Sequence, residues 1–112
     1  SYGGQFLPDF ASDWVIDRRR RLEVTYLDLL ASHADEAMGR DQPLKALTTL
    51  RQALEIDPLR DDTNRRFLEA LGRLGRRSEL VVHYQRYVRL LSEELGLDPP
   101  ESVRELYSRL IG

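Results

Sequence analysis

The sequence lacks the residue types and motifs that most catalytic and metal sites require. It contains no cysteine and only two histidines, His33 and His83. The absence of cysteine excludes disulfides, thiolate chemistry and soft metal ligands. The histidines form neither a His-x-x-x-His nor a Glu-x-x-His pair, and no glycine-rich phosphate-binding motif is present. We therefore predict a protein that is not an enzyme, with no catalytic, cofactor-binding or metal-binding residues.

Long hydrophobic runs and a strong excess of one charge are also missing. No apolar run approaches the ~20 residues of a membrane span, and the N-terminus lacks the basic-then-apolar layout of a secretory signal. With 17 basic and 19 acidic residues the net charge is -2, so no global positive field attracts nucleic acid or an anionic membrane. We predict a cytoplasmic protein without membrane contact, whose partners are recognised locally.

The length predicts one helical domain over residues 1–112, because this is the size of an ordinary single domain. The chain begins without methionine, in a segment typical of the middle of a protein. We therefore expect it to be a piece of a longer protein.

Proline and glycine are absent between Ser12 and Met38, which predicts one long helix over residues 12–38. We expect Ser12 to cap its start and Gly39 to supply a left-handed cap at its end. The helix is longer than a standard repeat helix, so its first half should overhang and pack on something else. The residues predicted to form its buried stripe recur at helical spacing: Val15, Leu22, Tyr26, Leu29, Leu30, His33 and Ala37.

Four further helices are predicted over residues 42–56, 58–74, 78–95 and 99–111. Asp57, Ser78 and Asp98 are the expected N-caps of the last three. No period-2 run of β-branched residues indicates a strand.

The segment from Gly39 to Pro58 has the spacing of the second helix of a tetratricopeptide hairpin, a unit of about 34 residues. Ala46 and Ala53 supply small residues where helices cross, and Pro58 stands at the exit. When the sequence is aligned with itself at an offset of one tetratricopeptide period, apolar residues match. Ala34 aligns with Leu68, Ala37 with Leu71, Ala46 with Leu80 and Leu50 with Tyr84. We predict an all-α, tetratricopeptide-like right-handed array of about five helices, with a long first helix and a closing C-terminal helix.

Aromatic and apolar residues crowd the arm formed by residues 1–11 and the first turn that follows it. Either the arm folds back over the helical array, or it is a contact strip for a neighbouring domain. The residues predicted to bind a partner are Tyr2, Phe6, Leu7, Phe10, Trp14 and Arg18.

Several short motifs together resemble one bacterial family. They are Tyr2-Gly-Gly-Gln-Phe6-Leu7, Asp13-Trp14-Val15 with Arg18, Arg21-Leu22 and Tyr26, then Asp57-Pro58-Leu59-Arg60, Gly75-Arg76, Tyr84, and Glu94-Leu95-Gly96-Leu97-Asp98-Pro99. In this combination the chain resembles the bacterial transcriptional activator domain of regulators of the antibiotic regulatory protein type. The resemblance implies a longer regulator in which a DNA-binding winged helix, absent here, precedes this domain. It also implies that the helical domain binds protein, through self-association as a homodimer or contact with the DNA-binding domain of the same chain.

The leading hypothesis is therefore a non-catalytic interaction domain of a transcriptional regulator. The alternative is a free-standing peptide-binding adaptor, whose concave face between helices one, three and five receives an extended tail. Asn64, Arg65 and Tyr26 are the residues that such a groove would expose.

Overall fold

The computed structural model describes residues 9–112, with side chains from residue 13 onward. Within this range the chain forms α-helices and no strand. The bounds are α1 Asp9–Gly39, α2 Pro43–Ile56, α3 Asp61–Arg73, α4 Arg77–Leu95 and α5 Glu101–Ile111. The prediction of an all-α chain of about five helices with a long first helix is therefore confirmed.

The helices form two successive hairpins, α1 with α2 and α3 with α4, followed by α5. α1 packs on α3 and α3 packs on α5, while α2 lies against both α1 and α3. This layering of alternate helices is compatible with a tetratricopeptide-like array. Three of the four residue pairs 34 positions apart are buried at both positions, as in Ala34 with Leu68 and Ala46 with Leu80, whereas Tyr84, the counterpart of Leu50, is partly buried.

Two of the predicted helix starts are wrong because local turns delay the helix. Asp57 does not cap α3; its Oδ1 accepts a hydrogen bond from the backbone N of Leu59 at 3.0 Å, which closes a turn. The helix then begins at Asp61, after Arg60 in an extended conformation. Asp98 is likewise not the N-cap of α5, because this helix begins at Glu101, directly after Pro100.

The starts of α1 and α4 also differ from the prediction. α1 already includes Ser12, which is therefore no cap, and α4 begins at Arg77, one residue before the expected cap Ser78. No side chain caps the start of α4.

The end of α1 does not use a glycine. Gly39 is the last helical residue, and Asp41 takes the left-handed conformation with φ 59°. The backbone N of Gln42 donates to the carbonyl of Ala37 at 2.8 Å, which satisfies one of the last helical carbonyls. Asp tolerates this conformation better than most residues, and the left-handed residue lies two positions later than predicted.

The predicted buried stripe of α1 is largely wrong, because most of its members face solvent. Val15, Leu22, Tyr26, Leu29 and His33 are exposed, whereas Leu30 and Ala37 are buried. The buried face is formed instead by Leu27, Leu30, Ala31, Ala34 and Ala37. Every residue from 13 to 26 is exposed, so the first half of α1 overhangs the array, as predicted.

Candidate interaction surfaces

The overhanging half of α1 carries an apolar surface without a partner among the described residues. We call Val15, Leu22, Tyr26 and Leu29 the outer stripe. Leu22 is 64% exposed, Tyr26 49% and Leu29 61%. Val15, Leu22 and Leu29 are spaced seven residues apart, which keeps them on one side of a helix. Side chains of this size are normally scattered on a surface, so their alignment marks a candidate contact face.

The outer stripe lies on the side of α1 that is turned away from α3. The side of α1 that faces α3 is identified by Asp28, which binds Arg60 just before α3, and by Asp35, which binds Arg66 within α3. At ~100° per residue, the outer stripe stands roughly 140° around the helix from these carboxylates. The outer stripe therefore lies away from the contact between α1 and α3.

Of the residues predicted to bind a partner, Trp14 and Arg18 lie beside the outer stripe. The Trp14 side chain is 56% exposed, and the guanidinium carbon of Arg18 lies 5.6 Å from the centre of its ring. This cation–π contact shields one face of the indole and keeps the other accessible. Tyr2, Phe6 and Leu7 lie outside the described residues, as does the side chain of Phe10. Whether the six act together stays a prediction.

A network of ion pairs links α1 to α3 and fixes the angle between them. We call this network the α1–α3 seam. Asp62 accepts hydrogen bonds from Arg60 Nε at 2.7 Å and from Arg66 Nη1 at 2.9 Å. Arg60 also binds Asp28, and Arg66 binds Asp35 at 2.9 Å. Each arginine is therefore held between a carboxylate of α1 and the shared carboxylate of α3.

The pKa values of the seam reflect this pairing. Hydrogen bonds to Asp62 and then to Asp28 raise the pKa of Arg60. The pKa of Arg66 is raised by its hydrogen bond to Asp35 against the opposing effect of burial. Burial favours the neutral form of Asp62, but hydrogen bonds and charges from Arg60 and Arg66 outweigh it and lower the pKa of that carboxyl. These shifts keep Arg60, Arg66 and Asp62 charged at neutral pH.

Asn64 does not line an open concave groove as the adaptor hypothesis requires. It is buried, and its Nδ2 donates to the carbonyls of Pro58 at 3.0 Å and Arg60 at 2.9 Å. Its Oδ1 lies 2.8 Å from Nε2 of His83 on α4. Of the other two residues named for that groove, Arg65 pairs with Glu69 at 3.5 Å and Tyr26 is exposed on α1. Asn64 instead ties the α2–α3 turn to α4.

His83 is a neutral structural histidine. Because Asn64 uses its amide nitrogen for two carbonyls, its oxygen accepts and the Nε2 of His83 donates. The Nδ1 nitrogen then carries a lone pair at neutral pH. Burial, with the positive charges of Arg86 and Arg51, lowers the pKa of His83 to about 4.

A second buried polar contact supports α4 from the start of α3. The hydroxyl of Tyr87 donates a hydrogen bond to Oδ1 of Asp61. Burial and then this hydrogen bond hold the pKa of Tyr87 well above its usual value. Sequence reasoning missed Asn64 and Tyr87 as linking residues. For Asn64 a signal existed, since it stands three, four and seven residues before the apolar Phe67, Leu68 and Leu71 of the same stripe.

A groove of about 580 Å³ opens between α2 and α4. We call it the α2–α4 groove. The backbones of α2 and α4 stay apart, with one ion pair between Arg51 and Glu79 across the gap, and α3 lies beneath them with Phe67 and Leu71 on the floor. The remaining lining residues are Arg51, Leu54, Glu55, Pro58, Ser78, Glu79, Val82, His83, Arg86, Tyr87 and Leu90.

Two further observations concern the described residues as a whole. None of their helices has a stretch both long and apolar enough to cross a membrane. Among the same residues, no three or more His, Asp or Glu side chains come together as ligands of a metal ion.

Comparison with known proteins places the chain in a family. The model of the bacterial transcriptional activator domain matches residues 1–111. The chain is similar to the regulatory protein AfsR of Streptomyces griseus, with 30% identity over 110 residues, and to that of Streptomyces coelicolor, with 29% over 110 residues. Each match covers 98% of this chain and 11% of the relative, so the chain spans about a ninth of the curated relatives. No solved structure matches it significantly. The match over nearly the whole length shows that this chain belongs to the bacterial transcriptional activator domain family.

Proposed function

We propose that this chain is a non-catalytic protein-interaction and dimerisation module of a bacterial transcriptional regulator. The DNA-binding winged helix of that regulator lies outside this sequence, and the protein acts in the cytoplasm, where its DNA target is found. The relatives are named regulatory proteins, and each is about nine times the length of this chain, which leaves room for other domains.

The single observation that carries the proposal is the outer stripe. Its leucines and its tyrosine are about half exposed or more, on the side of α1 turned away from α3. Burial of one such side chain contributes roughly 1.5–3 kcal/mol. Several of them aligned over about four turns provide enough apolar surface for a helix-to-helix contact between two copies.

The charge of the chain supports a protein partner over direct contact with DNA. The formal net charge is -2, and Arg60 and Arg66, the central arginines of the α1–α3 seam, are bound to carboxylates. Proteins that hold DNA neutralise several phosphates with unpaired basic side chains on one face. We therefore assign contact with DNA to the other part of the regulator.

The perturbed ionisable groups support a structural use of these residues and not catalysis. His83 binds Asn64, and Tyr87 binds Asp61, so both hold α4 to α3. Both side chains also line the α2–α4 groove, but the polar atom through which each is held already has a hydrogen-bond partner within the fold.

Measurement of mass by analytical ultracentrifugation over a wide concentration range tests the proposal. We expect the wild type to pass from monomer to dimer, and Leu22→Glu to remain monomeric because a charge would be buried in the contact. Leu44→Glu is the matched control, since Leu44 is 56% exposed on α2, away from the outer stripe. A wild type that is monomeric throughout, or equal losses in both variants, would refute dimerisation through this face.

Fluorescence gives an independent readout because Trp14 is the only tryptophan in the sequence. Since Trp14 adjoins the outer stripe, its emission should shift to shorter wavelength as dimers form. The shift should be absent in Leu22→Glu and retained in Leu44→Glu. Phe6→Ala tests the arm, and we expect it to weaken dimerisation if the predicted partner-binding residues act together.

A further inference from the structure

The α2–α4 groove has the size and the lining of a small-molecule site. Its volume of about 580 Å³ lies within the range of roughly 300–1,000 Å³ that is typical of ligand clefts. Phe67 and Leu71 form its floor, and Leu54, Val82 and Leu90 add apolar walls. Val82 is 53% exposed, so this apolar wall remains open to solvent.

Two arginines line the groove together with this apolar floor. The Cζ of Arg51 lies 5.6 Å from the centre of the Phe67 ring, and Arg86 lines the α4 wall. Arg51 reaches Glu79 at 3.6 Å, and both of these side chains are more than half exposed. None of the ion pairs among residues 13–112 involves Arg86. The groove therefore contains a cation that has no carboxylate partner in the described part of the chain.

Carboxylates also line the groove, and its formal charges balance: Arg51 and Arg86 stand against Glu55 and Glu79. Glu79 is shared between Arg51 and Arg76, each at 3.6 Å, and Glu55 stands on the α2 wall. Arg86 lines the α4 wall outside these ion pairs, so an anionic group of a ligand would supply the partner that its guanidinium lacks among the described residues.

We propose that the α2–α4 groove binds a small anionic amphiphile. Its apolar body packs on Phe67 and Leu71, and its carboxylate or similar anionic group is held by Arg86 and Arg51. Charge-assisted hydrogen bonds from a guanidinium supply orientation, and the apolar floor supplies affinity. This site is independent of the outer stripe and of the proposed dimerisation.

The shape of the groove favours a small molecule over a docked helix. The α4 wall extends from Ser78 to Leu90, whereas the helical part of the α2 wall is limited to residues 51–55. A helix laid into the groove would therefore contact α2 over a single turn. Helix-in-groove recognition uses anchors over two turns or more, at i, i+3, i+4 and i+7.

Two fluorescent probes that differ in one anionic group test the proposal. Anilinonaphthalene sulfonate has an apolar body and a sulfonate, and N-phenylnaphthylamine has the same body without charge. We expect the wild type to bind the sulfonate probe more tightly. Arg86→Gln should weaken binding of the sulfonate probe by roughly tenfold, which corresponds to about 1.4 kcal/mol of binding free energy. The affinity for the neutral probe should be unchanged. Arg89→Gln is the matched control, because Arg89 is exposed on the same helix and does not line the groove.

Nuclear magnetic resonance locates the bound probe and measures the pKa of His83. In the wild type, the bound sulfonate should shift amides of Phe67, Leu71 and Val82 and raise the pKa of His83 above about 4. The same experiment in Leu22→Glu should give the same shifts. Shifts confined to the outer stripe, an unchanged pKa of His83, or equal weakening by Arg86→Gln and Arg89→Gln would each overturn the proposal.

Discussion

The carboxamide oxygen of Asn64 accepts a hydrogen bond from Nε2 of His83 at 2.8 Å. Through this bond the turn between α2 and α3 is linked to α4, because Asn64 also donates to the carbonyls of Pro58 and Arg60. One buried side chain of α3 therefore holds both the turn that precedes its helix and the helix that follows. The first two predictions concern this contact.

Replacement of Asn64 by leucine should lower the free energy of unfolding by about 2–3 kcal/mol. The N–H of His83 and the carbonyl of Pro58 would lose their hydrogen bonds in surroundings largely closed to water. Arg65→Ala is the control, because Arg65 makes a partly exposed i,i+4 pair with Glu69, of a kind that contributes less than about 1 kcal/mol. Urea denaturation at neutral pH gives both values. Similar losses in the two variants would contradict a special role for Asn64.

Stability should fall as the pH drops from about 6.5 to about 4, the ordinary and the folded pKa values of His83. Over this window the unfolded chain binds a proton at His83 and the folded chain does not, so acid favours unfolding. The loss should be on the order of 1–3 kcal/mol. Thermal or urea unfolding at several pH values measures the slope.

His83→Gln should remove most of that slope, because glutamine can donate to Asn64 and does not titrate. His33→Gln serves as the control, since His33 is exposed on α1. A slope that survives in His83→Gln would assign the acid sensitivity to other groups.

The seam carboxylate Asp62 acts at lower pH: its lowered pKa contributes stability that is lost as the pH falls below its ordinary value of 3.8.

Neutralisation of Asp62 should weaken the α1–α3 seam. In Asp62→Asn the side chains of Arg60 and Arg66 lose their shared carboxylate, and we expect a loss of about 1–2 kcal/mol that shrinks at high salt. Glu69→Gln is the control, because it removes only an i,i+4 surface pair. Denaturation at low and high salt measures both effects. A loss that is independent of salt would indicate packing and not charge as the cause.

Two glycines at helix ends should respond in opposite directions to alanine. Gly96 ends α4 with φ 64°, so Gly96→Ala should cost about 1–2 kcal/mol through backbone strain alone. Gly39 is helical without a positive φ, and no atom lies within 4 Å of an added Cβ. Gly39→Ala should therefore stabilise the chain by roughly 0.5–1 kcal/mol. Urea midpoints compare the two, and destabilisation by Gly39→Ala would contradict the assigned helix end.

Much of the helical pattern could be predicted because its signals are local. The run from Ser12 to Met38 without proline or glycine predicted the long helix, and the described helix contains all of it. Gly75 follows Arg73 and Leu74 at the end of α3 with φ 71°, a conformation that glycine favours. The helix starts at Asp61 and Glu101 were missed because the turns before them depend on specific hydrogen bonds and extended residues, which composition does not reveal.

The candidate surfaces were less predictable because they depend on which face of a helix meets its neighbour. α1 has apolar residues on two faces. From periodicity alone we predicted that Leu22 and Leu29 are buried, but the structure buries Leu27 and Ala31 instead. The α2–α4 groove combines residues of three helices, so no single segment contains its pattern. The arm residues Tyr2 and Phe6 remain a prediction.

By itself, the sequence determined that this chain forms a row of amphipathic helices and that it belongs to its family. Both follow from residue types at short, fixed spacings, which act through backbone conformation and turn chemistry. Only the tertiary structure decided that the outer stripe faces away from α3, that Asn64 is a buried link to His83, and that Arg86 lines an apolar groove. Those outcomes depend on contacts between residues far apart in sequence. The periodicity within one helix does not specify them, because it is the same whichever neighbouring helix packs on a given face.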